Sequence, residues 1–118
     1  MVKLNFSREL RIVTPKLFNN VFDNPIRASS PNLTILAKPN NLNHPRLGLI
    51  VPKKILKLAV WRNRVKRVIR NNFRLNQFNI CPLDYVVIAK GNIKDLSNSE
   101  LDELVSKLWK VICRRYKK

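Results

Sequence analysis

An eighteen-residue segment in the middle of the chain, residues 57–74, contains seven Lys or Arg and no acidic residue. Its apolar residues recur at the spacing of an α-helix, so this helix can bury only one side and leaves a cationic side exposed. The sixty residues between Asp23 and Asp84 also lack acidic side chains and contain twelve Lys or Arg. Such a surface repels itself unless a polyanion compensates its charge, which indicates a nucleic-acid-binding protein.

The helical spacing divides this basic segment into two faces. The predicted core face consists of Leu58, Trp61, Val65, Val68, Ile69 and Phe73. The opposite face consists of Asn63, Lys66, Arg67, Arg70 and Arg74, with Arg62 and Arg64 on its two edges. A solvated helix face is the simpler interpretation, but the lack of any carboxylate to form pairs one turn away favours phosphate contacts. Lys53 and Lys54 extend the positive surface toward the start of the helix.

Start and stop signals predict an α+β fold in one domain over residues 1–118, and the charge pattern assigns nucleic-acid binding to this domain. Thr14-Pro15 begins a helix that Asp23-Asn-Pro25 ends. Residues 33–37 and 47–51 predict two strands, taken as antiparallel neighbours, with a short strand at 26–28 before them. Residues 83–89 predict another strand, and Ser97 with Glu100 fits a capping box that opens the last helix. The order is α-β-β-β-α-β-α, with one sheet of about four strands and three helices.

The chain contains no recognisable catalytic apparatus. His44 is the one histidine, the acids are scattered, and Gly48 and Gly91 are the only glycines, so an acid–base pair, a carboxylate metal site and a phosphate loop are not predicted. Cys81 and Cys113 are read as isolated buried thiols. No apolar run has the length of a membrane span and the start of the chain lacks a signal peptide's apolar stretch, so we expect a cytoplasmic protein that does not bind membranes.

Several motifs resemble the bacterial ribonuclease P protein subunit over nearly the whole chain. The core of the resemblance is Lys53-Lys54, Ala59-Val60, Arg62-Asn-Arg-x-Lys-Arg-x-x-Arg70 and Phe73-Arg74. Further matches, in the same order, are Arg8-Glu-Leu-Arg11, Phe18, Val21-Phe22, Arg46-Leu-Gly48 and Asp84-Tyr-Val-Val-Ile-Ala89. The four residues 55–58 are similar to the gamma-proteobacterial form of this family.

The resemblance implies an accessory subunit of a ribonucleoprotein endoribonuclease whose catalytic groups are on the RNA. That RNA, with Mg²⁺, removes the 5′ leader of precursor tRNA. We expect the chain alone to bind no metal, and no obligate protein partner is evident from the sequence. The resemblance places the following residues at the catalytic RNA: Lys53, Lys54, Arg62, Asn63, Arg64, Lys66, Arg67, Arg70 and Arg74. It places Phe18, Phe22 and Ile35 at the leader, and it implies a left-handed crossover around the basic helix, against the usual rule.

Other interpretations stay open at this point. Phe18 and Phe22 lie one helical turn apart, so they either pack in the core or stack on unpaired bases. The alternating residues of strand 33–37 are apolar on both faces, so the exposed face is undetermined. A structural RNA-binding protein, such as a small ribosomal protein, is the alternative function, and a stand-alone nuclease is disfavoured by the missing acid–base pair.

Overall fold

The helices and strands follow the predicted order in a computed structural model that describes residues 10–12 and 14–117. Arg8 and Glu9, part of one family motif, lie outside the described residues. The helices are α1 (Pro15–Phe22), α2 (Ala59–Asn76) and α3 (Asn98–Tyr116), and a short 3₁₀ helix spans Gly91–Asp95. The strands are β1 (Ile26–Ser29), β2 (Leu33–Pro39), β3 (Arg46–Ile50) and β4 (Leu83–Ala89).

Local capping explains where two of the helices begin. Thr14 Oγ1 accepts a hydrogen bond from the Leu17 N–H at 3.3 Å, and Pro15 occupies the first turn of α1. At α3, Ser97 Oγ accepts from the Glu100 N–H at 3.1 Å while Glu100 Oε1 accepts from the Ser97 N–H at 2.9 Å. These bonds hold the pKa of the Glu100 carboxyl below its usual range. The capping box predicted from the sequence is confirmed.

The start of α2 differs from the prediction. The helix begins at Ala59, and Leu58 is its N-cap residue with half of its surface exposed (50%). The preceding turn, in which the N–H groups of Ile55 and Leu56 donate to the Pro52 carbonyl, directs Leu56 into the core instead, where it is fully buried. The assignment of Leu58 to the core face is therefore wrong, because the turn before the helix fills that space first.

The four strands form one mixed sheet in the order β1-β2-β4-β3. Strand β4 is antiparallel to β2 and parallel to β3, so it separates the two strands that the sequence placed side by side. That prediction was wrong. The reason is visible in β4, which is buried on both faces and therefore occupies the centre of the sheet. The left-handedness of the β3-α2-β4 crossover stays a prediction.

The sheet carries a different layer on each face. Helices α2 and α3 cover one face, and their core includes an edge-to-face cluster of Phe73, Tyr85 and Trp109 with ring centroids 5.0–6.5 Å apart. Helix α1 covers part of the other face, where Val21 packs with Leu36 and Val86. The sheet therefore lies between the cationic helix α2 and helix α1.

The two cysteines lie together although 32 residues separate them in sequence. The Cys81 N–H donates to Cys113 Sγ at 3.0 Å, and Tyr85 Oη lies 3.8 Å from the same sulfur. Burial, followed by the neighbouring Cys113 thiol, raises the pKa of Cys81 to about 11. The interpretation of these thiols as isolated is corrected, since the fold brings them into contact.

This raised pKa predicts slow alkylation of Cys81. The thiolate is the nucleophile, so in the folded protein its fraction at pH 8 is far lower than that of an unperturbed thiol. Labelling of Cys81 should accelerate only as pH rises toward 11, whereas the denatured chain should label quickly at pH 8. Mass spectrometry of timed iodoacetamide reactions measures both rates. Equal rates for the folded and denatured chains would contradict the buried position of this thiol.

Candidate nucleic-acid interface

Helix α2 presents the cationic face that the sequence predicts. Val65, Ile69 and Phe73 are fully buried against the sheet, whereas Asn63, Arg67 and Arg70 are exposed on the opposite side. Lys66 and Arg74 are half-buried at the borders of this face, and Lys53 and Lys54 are exposed in the turn before the helix. A shallow depression between the exposed side chains is lined by Arg67, Arg70, Asn71 and Arg74.

A buried amide fixes the orientation of this face. Asn72 is 2% exposed and its Nδ2 donates to the Asp102 carbonyl (3.1 Å), to Asp102 Oδ1 (2.9 Å) and to Ser106 Oγ (2.8 Å). Its Oδ1 accepts from Trp109 Nε1 at 2.7 Å. Asn72 thereby ties α2 to α3. Asn72 was not predicted from the sequence, although a polar side chain one position before a predicted core Phe is the signal that could have revealed it.

The two edge arginines bond within the protein. Arg62 Nη1 donates to the carbonyls of Leu56 (2.8 Å) and Lys57 (3.0 Å), in the turn that precedes α2. Arg64 donates to the Leu96 carbonyl (3.1 Å) and Asn98 Oδ1 (2.9 Å), and reaches the Lys94 carbonyl at 3.3 Å. A guanidinium has five N–H donors, so RNA contacts by these residues remain compatible with bonds that brace the helix.

One carboxylate, that of Asp102, lies at the border of this face, in a depression that Arg67 and Asn71 also line. Two ion pairs of the described part of the chain, Lys38 with Asp23 and Arg46 with Asp84, belong to the sheet and its loops. Asp102, the acid beside α2, is engaged by Asn72. Among the described residues, Arg67 and Arg70 form no ion pair, so their charge is available to an anionic partner.

A cleft lies beside α1 on the other face of the sheet. A cavity of about 450 Å³ is lined by Thr14, Pro15, Phe18, Asn19, Phe22 and Ile50. Phe22 is 42% exposed and Phe18 is half-buried, so both rings offer surface to this cavity. Of the two interpretations left open for these rings, a role at the cleft is the one that their exposure favours.

Ile35 does not line this cleft. It is fully buried in the core beneath α2 and α3, on the opposite face of β2. Successive side chains of a strand point to opposite faces, so Thr34 and Leu36 are the β2 residues on the α1 side. This corrects the expectation for Ile35, which the sequence could not resolve because both faces of β2 are apolar.

Phe18 connects the α1 cleft to the cationic helix. A second cavity, of about 290 Å³, is lined by Phe18 and by residues of β3 and α2, including Gly48, Lys66 and Arg70. A Cβ on Gly48 would lie 2.6 Å from Phe18 Cε1, so the ring occupies the space that any larger residue would need. Phe18 thus lines both cavities, which together extend from α1 toward the cationic side chains of α2.

Groups for acid–base or metal chemistry are not assembled in the described residues. His44 is half-buried in its loop, with Nδ1 3.1 Å from the Pro45 carbonyl. Within residues 10–12 and 14–117, no three His, Cys, Asp or Glu side chains are grouped so as to hold a metal ion. The helices in these ranges are also too short or too polar to cross a bilayer.

The fold and the site together define a small RNA-binding α+β protein with a cationic helix on one face of its sheet and an aromatic cleft on the other. The family model Ribonuclease P matches residues 6–113. The chain is 57% identical over 109 residues to the ribonuclease P protein component of two Haemophilus influenzae strains, PittGG and 86-028NP, covering 92% of this chain and 92% of each relative. The chain belongs to the ribonuclease P protein component family.

Solved structures agree with this assignment. The RNase P protein of Staphylococcus aureus superposes with a TM-score of 0.80 at 28% identity, covering 86% of this chain and 94% of the other. That of Thermotoga maritima superposes with a TM-score of 0.74 at 25% identity, covering 85% and 96%. The chain is therefore an accessory subunit of a ribonucleoprotein endoribonuclease and associates with ribonuclease P RNA in tRNA processing. The ribosomal-protein alternative is not supported.

Proposed function

We propose that the outer face of α2 binds the catalytic RNA while the cleft beside α1 holds the 5′ leader of precursor tRNA. The observation that carries this division is the placement of an exposed cationic helix and an aromatic cleft on opposite faces of one sheet, joined through Phe18. A single strand needs stacking surfaces and nearby positive charge, and both are present along these clefts. The protein would then work in the cytoplasm, where we expect its RNA partners.

In this proposal the protein positions the substrate and the RNA performs the cleavage. The described residues bring together no set of ligands that fits Mg²⁺, so we assign the ion to the RNA. Arg67, Arg70 and Lys66 would neutralise phosphates of the catalytic RNA and thereby lower the Mg²⁺ concentration that it requires. Phe18 and Phe22 would contact the leader, which mature tRNA lacks, and so raise the affinity for precursor over product.

The reconstituted particle tests this division directly. Adding the chain to ribonuclease P RNA should lower the Mg²⁺ concentration at half-maximal cleavage and should tighten binding of precursor tRNA relative to mature tRNA. Cleavage rates over a Mg²⁺ titration and the two tRNA dissociation constants are the measurements. If the chain changes neither quantity, the proposal is overturned.

Phe18→Ala should reduce the preference for precursor tRNA by roughly tenfold. Base–aromatic stacking contributes about 1–3 kcal/mol per base, and the alanine retains none of it. The ratio of precursor to mature tRNA dissociation constants measures the effect. Phe78→Ala is a matched control, because Phe78 is 61% exposed just after α2 and does not line the cleft. A loss of thermal stability with an unchanged ratio would show that Phe18 is a core residue.

Gly48→Ala should also reduce the preference for precursor tRNA, although it does not replace Phe18. The new Cβ would lie 2.6–2.8 Å from two ring atoms of Phe18, so the ring must move. Phe18 itself, the residue proposed to contact the leader, is retained. We expect the precursor preference to fall in the same direction as in Phe18→Ala. The double variant should be little worse than Phe18→Ala alone, since the alanine at 18 removes the two shortest contacts and leaves only Ile12 Cβ at 3.3 Å. Additive losses in the double variant would contradict this coupling.

A further inference from the structure

Helix α3 carries a second cationic stripe that neither the family motifs nor the leader cleft uses. Lys107, Lys110, Arg114 and Lys117 follow one another at spacings of three, four and three residues. Residues three and four apart share one face of a helix, and all four side chains are exposed. The buried face of the helix, which includes Val105 and Ile112, points in the opposite direction.

The helix itself does not account for this stripe. Cations near a helix C-terminus interact favourably with the helix dipole, which explains Arg114 and Lys117. Lys107 and Lys110 lie in the middle of α3, beyond the reach of that effect. Like charges at three- and four-residue spacings destabilise a helix, and the acid on this face is Glu103, one turn before Lys107. The repulsion along the stripe would be relieved by an anionic partner.

The position of α3 beside α2 indicates which anionic partner would contact the stripe. Helix α3 packs beside α2 on the same face of the sheet, held there by Asn72 and by Trp109 against Phe73. Packed helix axes are about 8–10 Å apart, which is comparable to the Debye length at physiological salt. The outer faces of α2 and α3 therefore lie on the same side of the molecule, with Asp102 in the depression between them that Arg67 also lines. The α1 cleft lies on the opposite face of the sheet, away from the stripe.

We infer that the outer face of α3 is a second contact surface for the phosphate backbone of the catalytic RNA. This inference rests on the proposed role of α2. From Lys107 to Lys117 the stripe is about 15 Å long at the rise of an α-helix, and it continues the footprint beyond the end of α2. Three of its four cations are lysines, which act as point charges, so the surface fixes position on the RNA without reading its sequence.

The test is the salt dependence of RNA binding by a triple variant, Lys107→Gln, Lys110→Gln and Arg114→Gln. Loss of three phosphate contacts should make the slope of log K against log salt shallower by roughly 2.1 to 2.7, at about 0.7 to 0.9 per contact. The precursor-to-mature tRNA ratio should stay unchanged. Glu103→Gln is the matched control on the same face: it removes a negative charge and should leave binding equal or tighter.

Three outcomes decide the inference. A wild-type slope in the triple variant, with Arg67→Ala still making the slope shallower, overturns the role of α3 and leaves that of α2 intact. A changed tRNA ratio with unchanged binding of the catalytic RNA overturns it as well, since the stripe would then face the substrate. If the wild-type chain fails to bind the catalytic RNA at all, the proposed function falls too. Thermal unfolding of the free triple variant separates lost contacts from lost structure, and it is expected close to the wild-type temperature because relieved repulsion offsets the lost helix-dipole interaction of Arg114.

Discussion

Replacing Arg67 and Arg70 together by alanine should weaken binding of the chain to ribonuclease P RNA by about a hundredfold or more. Hydrogen bonds to charged groups contribute about 1.5–3 kcal/mol each, and each 1.4 kcal/mol is a factor of ten. Both side chains are exposed on one face of α2, so their removal leaves the core intact. The salt slope should also become shallower by roughly 1.4 to 1.8, for two lost phosphate contacts. Filter binding over a salt titration gives both quantities.

Arg64→Ala is the matched control for this result. Arg64 belongs to the same motif, but its guanidinium donates to Leu96 and Asn98 within the protein. We expect a loss of about 1 kcal/mol in the free energy of unfolding and a smaller change of the salt slope than for Arg67 or Arg70. A double variant of Arg67 and Arg70 with wild-type affinity and slope would show that this face of α2 is merely solvated.

Asp84→Ala should lower the free energy of unfolding by about 3–5 kcal/mol, the cost of leaving a buried charge unpaired. Asp84 is 1% exposed. Its carboxylate accepts from Arg46 Nε at 2.7 Å, from Arg46 Nη2 at 2.6 Å and from Asn40 Nδ2 at 2.9 Å. Its loss leaves the Arg46 guanidinium without its anion and the loop at Asn40 without an anchor. Denaturant unfolding measures the change, and Tm should fall by roughly 10 °C or more.

Asp23→Ala controls for the general effect of removing an acid from this basic chain. Asp23 pairs with Lys38 at 3.4 Å, but its side chain is 84% exposed. Exposed ion pairs contribute about 0–1 kcal/mol, so this variant should unfold close to the wild type. Similar losses for Asp84→Ala and Asp23→Ala would mean that net charge, and not the buried pair, determines the effect.

Local signals in the sequence sufficed for the helices. Thr14-Pro15 and the Ser97–Glu100 capping box act within one helical turn, so both starts could be predicted without knowledge of the fold. The basic face of α2 was equally predictable, because helical periodicity alone separates Arg67 from Val65. The match of the family model over residues 6–113 agrees with these features.

Features that depend on long-range pairing could not be predicted in the same way. Strand β4 lies between β2 and β3 because both of its faces are buried. A prediction that pairs strands adjacent in sequence does not take this burial into account. The exposed face of β2 was ambiguous because Ile35 and Leu36 are both apolar. Arg62 and Arg64 lie at the edges of the helix face, where their direction is decided by carbonyls of the preceding turn for Arg62 and of residues 94–96 for Arg64.

The side-chain amide of Asn72 determines how helix α2 is rotated about its axis, and therefore in which direction its cationic side chains point. Successive residues are about 100° apart around a helix, so a roll of α2 by one position would carry Arg67 from the middle of the exposed face to its border. Four hydrogen bonds from one side chain to α3 oppose that roll. The direction of the guanidinium groups is thus set from inside the protein, by a residue that is almost completely buried.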